Sequence, residues 1–179
     1  IEQFMNTKRI GGSSISHDEK TILFSSNQSG IFNAYMIPVE GGEPKPLTES
    51  KDNTVFAISF FPTDNRILYQ SDKGGNEINH IYLREENGKT KDLTPDEKAR
   101  SEFYGWAYDE KSFFYGSNKR NPKFMDIYET DILTYSQKMI YQNDEGYNFG
   151  DISDDKKNIA LAKTITDHLA VLRPEAWLM

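Results

Sequence analysis

Short apolar runs alternate with polar turns along the chain, and the pattern returns about every 46 residues. Each repeat has a polar turn around an acidic residue, and an apolar strand follows the turn. The first apolar positions of these strands lie 45, 46 and 46 residues apart; they are Ile22, Ile67, Phe113 and Ile159. A second marker keeps the same register, because Leu47-Thr48 returns 46 residues later as Leu93-Thr94. A fixed period of this length indicates a chain built from repeated structural units.

Each repeat contains four segments typical of β-strands. In the second repeat, residues 56–61 are apolar, residues 67–70 follow a Pro-Thr-Asp-Asn turn, and residues 78–84 alternate between apolar and polar. Asn87-Gly88 is a strong hairpin signal, and a short polar strand at 90–93 follows it. The pattern predicts an all-β fold: a β-propeller of four repeats of about 46 residues, each a four-stranded antiparallel blade.

The repeats predict a single propeller domain whose last blade is incomplete. The domain covers residues 1–179, with blades at about 9–54, 55–101, 102–147 and 148–179. Residues 167–173 supply a third strand to the last blade, but no Leu-Thr edge follows it, and a short helix fits only residues 95–100. An open propeller exposes sheet edges, which favour pairing with another chain. Either residues 2–6 supply the missing edge strand, or two chains join their open blade edges in a homodimer.

Composition narrows the classes of partner. Asp and Glu number 28 against 21 Lys and Arg, a formal net charge of −7. This balance argues against a nucleic-acid partner, because a duplex-binding surface needs clustered positive charge. The chain has no cysteine, which excludes disulfides, thiol nucleophiles and Cys-based zinc sites. No apolar run is long enough to cross a bilayer, so we expect no membrane insertion.

The sequence lacks the common catalytic motifs. It has no Gly-x-Ser-x-Gly elbow and no phosphate-binding glycine loop. Its histidines, His17, His80 and His168, do not have ligand spacing, and we expect His17 and His80 at the surface. The acidic turn residues, which lack the glycine of a calcium loop and are expected to cap tight turns, are Asp18, Asp64, Asp109 and Asp154. We therefore predict no catalytic residue, no cofactor and no metal site.

The innermost strand of each blade lines the central tunnel of a propeller and is the most favourable place for a ligand. Strand alternation places Trp106 and Asp151 at matching positions of the third and fourth inner strands. Tyr104 and Phe149 lie two residues earlier. Aromatic and acidic groups at a tunnel mouth suit a peptide or a basic tail, so we predict a partner-binding site at Tyr104, Trp106, Phe149 and Asp151. The alternative is that Tyr104 and Trp106 pack between neighbouring blades.

Three segments carry a resemblance to a known family: residues 15–27, the turn at 41–48, and residues 151–157. They resemble the WD-like propeller repeats of TolB, and the resemblance covers residues 9 to about 165. The usual Ser-Pro-Asp-Gly turn of those repeats is degenerate here, for example Ser-His-Asp-Glu and Ser-Asp-Asp-Lys. The repeats are equally similar to the N-terminal propeller of prolyl oligopeptidase-family peptidases.

These resemblances imply different functions, because one propeller fold hosts many. Similarity to TolB implies a periplasmic, non-catalytic propeller that binds a protein or peptide. Similarity to the peptidases implies a substrate-gating propeller fragment of a serine peptidase, whose catalytic domain is absent from this chain. A third alternative, a metal-dependent carbohydrate lyase on a similar propeller, requires histidines clustered at one tunnel mouth.

Overall fold

The computed structural model describes residues 7–165 and 168–172, and all of its regular elements are strands. The strands form four antiparallel sheets, three of four strands and one of three. Each sheet is a meander in which neighbours in sequence are neighbours in space, the arrangement of a propeller blade. The predicted all-β propeller with an incomplete last blade is therefore confirmed. The chain divides into two compact units, Ile1–Glu97 and Lys98–Met179.

The first unit holds two four-stranded blades. The first blade comprises β1 (Ile10–Ile15), β2 (Thr21–Ser26), β3 (Asn33–Pro38) and β4 (Lys45–Pro46). The second comprises β5 (Val55–Phe60), β6 (Ile67–Ser71), β7 (His80–Arg84) and β8 (Thr90–Asp92). Their shared core contains Leu23, Ala34, Phe60 and Ile67. Burying one aliphatic side chain such as Leu23, which is fully buried, contributes roughly 1.5–3 kcal/mol.

The second unit holds one complete and one incomplete blade. The complete blade comprises β9 (Ser101–Trp106), β10 (Ser112–Ser117), β11 (Asp126–Asp131) and β12 (Gln137–Tyr141). The incomplete blade comprises β13 (Asn148–Ile152), β14 (Ile159–Ile165) and β15 (His168–Leu172). The expected third strand is thus present, whereas the closing strand proposed at residues 2–6 lies outside the described residues. Residues 95–100, the only stretch in which the sequence allows a short helix, are not helical.

Every inner strand contains a β-bulge. The pairing of each inner strand with its neighbour skips one residue; the skipped residues are Gly12, Ile58, Tyr104 and Gly150. A bulge shifts the alternation of side chains by one position and re-aims those that follow it. The blades therefore share an inner-strand geometry that strict alternation does not describe.

Three blades begin their third strand with a buried polar residue that holds the segment leading to the next blade. These residues are Asn33, His80 and Asp126, and they are 1%, 6% and 0% exposed. Asn33 donates to the carbonyl of Ser50 at 3.0 Å and accepts from its amide at 2.8 Å. Asp126 accepts from the amide of Asn143 at 2.8 Å.

His80 performs the same task in the second blade. Its Nδ1 lies 2.7 Å from Oδ2 of Asp92, and its Nε2 lies 2.6 Å from the carbonyl of Asp96. The expectation that His80 lies at the surface is wrong, because its strand position, and not its polarity, sets its burial. The same expectation for His17 is confirmed, since that side chain is exposed.

The acidic turn residues cap their turns. The carboxylates of Asp18, Asp64 and Asp109 each accept from the backbone amide two residues later, at 3.1, 2.9 and 3.1 Å. In the fourth blade this position is Asp155, which accepts the equivalent bond at 3.1 Å. The prediction is thus confirmed for three turns and wrong by one residue for Asp154.

The cap at Asp64 predicts a pH-dependent stability. Burial raises the pKa of Asp64, but hydrogen bonds from the side chain and amide of Arg66 outweigh burial and lower the pKa below its ordinary value of 3.8. The ionised cap therefore stabilises the fold above about pH 4, and this contribution is lost as the pH falls through the lowered pKa. We expect Asp64→Asn to lower the free energy of unfolding by about 1 kcal/mol at neutral pH, measured by urea denaturation.

Asp64→Asn removes the negative charge of the cap but keeps a side-chain oxygen that accepts from the turn amide. The difference from the unsubstituted protein should therefore vanish near pH 2. Asp52→Asn, at an exposed position, is the matched control and should change stability by less than about 0.5 kcal/mol at every pH. A deficit of Asp64→Asn that persists at low pH would contradict the explanation.

Candidate functional site

All four predicted partner-binding residues lie on the inner strands of the second unit. Tyr104 and Trp106 belong to β9, and Phe149 and Asp151 belong to β13. Tyr104, Trp106 and Phe149 are half-buried, whereas Asp151 is exposed. Together they line a cleft of about 200 Å³. The structure therefore brings the four residues together.

Tyr104 and Phe149 stack face to face across the boundary between the third and fourth blades. Their ring centroids lie 4.4 Å apart and the ring planes differ by 1°. The Tyr104 ring also covers Gly116 so closely that a β-carbon on Gly116 would collide with it. Burial is the main cause that raises the pKa of Tyr104 to about 12, and the nearby carboxylate of Glu102 acts in the same direction. The phenol is therefore neutral at physiological pH. The expected alternative, packing between neighbouring blades, is confirmed for Tyr104.

Trp106 packs within its own blade. It meets the ring of Phe103 edge-on at 5.5 Å and the ring of Phe113 edge-on at 5.6 Å. Edge-to-face contacts of this kind contribute roughly 0.5–1.5 kcal/mol beyond simple burial. Trp106 is thus held by two aromatic partners while one part of its surface faces the cleft.

Strand pairing shows which residues of β9 and β13 are equivalent, and their bulges fall at the same position of the repeat. By strand pairing, Trp106 matches Ile152, and Asp151 matches Gly105. The prediction that Trp106 and Asp151 occupy matching positions is therefore wrong by one residue. The equivalent position in β9 carries no side chain, so the Asp151 side chain is particular to the fourth blade.

Five further residues line the cleft, and two of them, Tyr108 and Asp154, bring polar groups that were not predicted there. Tyr108, in the turn after β9, is 77% exposed, and Asp154 also lines the cleft. The sequence feature that could have indicated Tyr108 is a bulky aromatic residue at the start of a polar turn. Among the described residues, no Lys or Arg lines this cleft, whereas two carboxylates, those of Asp151 and Asp154, do. An aromatic cleft with this charge favours a cationic group, through both Coulomb attraction and contact with ring faces.

Within the described ranges, no three His, Cys, Asp or Glu side chains come together as a metal site. The histidine cluster that a metal-dependent lyase requires is thus not found in that part of the chain. In the same part of the chain, no helix has the length and apolar character needed to cross a membrane.

One curated protein shares sequence with this chain. Dipeptidyl aminopeptidase BIII of Pseudoxanthomonas mexicana is 25% identical over 133 residues, which cover 73% of this chain and 19% of that protein. The chain therefore spans about a fifth of the length of this relative. No family model matches the chain.

Solved structures share the fold. TolB from Acinetobacter baumannii superposes with a TM-score of 0.67 at 22% identity, covering 93% of this chain and 41% of TolB. A prolyl endopeptidase superposes with a TM-score of 0.51 at 13% identity, covering 87% of this chain and 32% of the endopeptidase chain. Oligogalacturonate lyase from Vibrio parahaemolyticus superposes with a TM-score of 0.60 at 18% identity, covering 90% of this chain and 49% of the lyase. The likeness is one of fold. The predicted resemblance to TolB and peptidase propellers is confirmed at that level.

The contact between Tyr104 and Gly116 predicts a large effect from one methyl group. Gly116→Ala should displace the Tyr104 ring and weaken its stacking on Phe149, lowering the free energy of unfolding by roughly 1–3 kcal/mol in chemical denaturation. Gly11→Ala is the matched control, because a β-carbon there meets no atom within 4 Å. Equal stabilities of the two variants would show that the tyrosine does not depend on Gly116.

Proposed function

We propose that this chain is a non-catalytic, TolB-like β-propeller domain, spanning residues 1–179, that binds a protein or peptide partner. The observation that carries the proposal is the aromatic cleft of the second unit, where the described residues supply two carboxylates and no basic side chain. A cleft of about 200 Å³ is smaller than the roughly 300–1,000 Å³ of small-molecule sites. Its size suits one or two side chains of a larger partner, and its charge favours a basic one.

Self-association is the second part of the proposal. The inner strand of the first blade exposes Ile10 and Ile15, which are 73% and 60% accessible. Large exposed aliphatic side chains on a sheet favour burial against another protein surface. We propose that two chains pair through open blade edges, and that the protein acts in the periplasm, as the TolB fold suggests.

A substrate-gating propeller of a serine peptidase is the second candidate. The sequence similarity to a dipeptidyl aminopeptidase favours it. Under this alternative the aromatic cleft filters peptides for a catalytic domain elsewhere in the protein. A reading frame that continues into a Gly-x-Ser-x-Gly segment would decide for this alternative.

Trp106 provides a direct test of the cleft. The protein has two tryptophans, so Trp177→Phe leaves Trp106 as the only indole. We expect Lys-Phe-Lys to change Trp106 fluorescence in a saturable way and Glu-Phe-Glu to do so more weakly. Asp151→Asn should weaken Lys-Phe-Lys binding about two- to five-fold, the scale of one exposed charge. Asp52→Asn is the control, and equal binding of both peptides would overturn the proposed specificity.

Solution mass tests the self-association. Light scattering on a sizing column should give about twice the chain mass of 20.6 kDa. Ile15→Lys places a charge on the exposed strand and should shift the mass toward that of one chain. Lys8→Gln, a neighbouring exposed position, should leave the dimer intact. A mass near 20.6 kDa for the unsubstituted protein would remove the dimer from the proposal.

A further inference from the structure

The turn between β13 and β14 carries a lysine whose ammonium crosses the boundary to the third blade. Nζ of Lys156 lies 2.9 Å from Oδ2 of Asp109 and 2.9 Å from Oε1 of Glu129. It also donates to the hydroxyl of Ser112 at 2.9 Å, and that hydroxyl donates to Oε1 of Glu129 at 2.6 Å. Because an ammonium has three N–H donors, these three acceptors together fix its position.

The same contacts keep Lys156 in its charged form. Its side chain is 27% exposed and that of Glu129 is 25% exposed, so water only partly reaches the bridge. Burial lowers the pKa of Lys156, but hydrogen bonds to Glu129 and Asp109 outweigh burial and raise the pKa above its ordinary value of 10.5. Hydrogen bonds to charged groups are shorter and stronger than those between neutral groups. The network is therefore a firmer tie between two blades than an isolated surface ion pair.

This bridge joins the two turns that flank the aromatic cleft. Tyr108, the residue before Asp109, lines the cleft from the third blade. Asp154, two residues before Lys156, lines it from the fourth blade. Local hydrogen bonds shape each turn, whereas a contact across the boundary limits the distance between the two turns. The bridge is such a contact.

The backbone conformation at Lys156 favours a different residue. Its φ is 59°, in the left-handed region that glycine adopts readily and that costs free energy for a lysine. Glu19 and Glu110 occupy the same position after the capping aspartate in the first and third blades, with φ of 59° and 58°, and Asn65 does so in the second blade. The turn conformation therefore recurs, and the cation is particular to the fourth blade.

We propose that Lys156 is a positioning residue for the aromatic cleft, and that its ammonium holds the turn of Tyr108 at a fixed distance from the turn of Asp154. The inference rests on the proposed function, since it explains how the cleft keeps a width that suits a side chain of the partner. A cleft whose walls are already ordered binds more tightly, because fewer groups lose freedom when the partner arrives.

Lys156→Gly in the full chain tests the bridge without any ligand, because it removes the ammonium and keeps a residue suited to the left-handed turn. Glu19→Gly is the matched control, with the same turn position and the same φ in the first blade. We expect amide relaxation in NMR to show greater mobility of residues 108–111 in Lys156→Gly and no change there in Glu19→Gly. Unchanged order of residues 108–111 in Lys156→Gly would overturn the proposal.

Peptide binding gives a second readout, in which positioning and charge act with opposite signs. If Lys156 acted through its charge alone, removing it would tighten binding of the cationic peptide Lys-Phe-Lys. A positioning role predicts that Lys156→Gly weakens binding about two- to ten-fold, the scale of ordering one mobile side chain. Fluorescence of Trp106 in the Trp177→Phe background measures the affinity, and tighter or unchanged binding would contradict the proposal.

Asp109→Asn completes a double-mutant cycle with Lys156→Gly. Asparagine keeps an oxygen for the amide of Lys111, which Asp109 caps at 3.1 Å, but loses the charge that binds Lys156. Asp109→Asn alone should weaken binding of Lys-Phe-Lys about two- to five-fold, and the double variant should bind no more weakly than Lys156→Gly, because the two residues act as one unit. Multiplied effects in the double variant would count against a shared role.

The two readouts separate this inference from the proposed function. If the unsubstituted protein does not bind Lys-Phe-Lys, the proposed function fails, whereas the mobility of residues 108–111 still decides whether Lys156 holds the turn. If the peptide binds and Lys156→Gly changes neither mobility nor affinity, only the positioning role is removed.

Discussion

A buried hydrogen bond at the start of the third strand is the constraint on which the order of each complete blade depends. A fourth strand on the outer edge leaves the chain far from the position where the next inner strand must begin. Asn33, His80 and Asp126 bind the returning segment and satisfy its backbone groups in the interior. Because an unpaired buried polar group costs about 1–3 kcal/mol, these residues must be polar even though they lie among apolar neighbours.

The first residue of the third strand differs chemically from blade to blade. The period of the repeat was therefore easier to predict than the role of this residue. The 46-residue period depends on polar turns and on apolar residues at strand starts. Both features are kept when one polar residue replaces another or one apolar residue replaces another. Asn33 and His80 share no side-chain group, yet each supplies two polar atoms at the required places. A histidine met alone in the sequence therefore suggested a surface residue, whereas its repeat position determined its burial. Position within the repeat was the better predictor.

A one-residue error in register accounts for the wrong match at the site. The skipped residues Tyr104 and Gly150 lie 46 residues apart, so the bulges keep the period of the repeat. A separation of 45 residues paired Trp106 with Asp151 instead of Ile152. The residues themselves were still found, because an aromatic or acidic side chain on an inner strand is informative whichever neighbour it matches. Tyr108 was not predicted because it lies in a turn, outside the inner strands.

Packing and binding make similar demands on a side chain, as Tyr104 shows: its ring joins two blades and also forms a wall of the cleft. Removing such a ring changes stability and binding together, so an exposed charge such as Asp151 separates the two effects better.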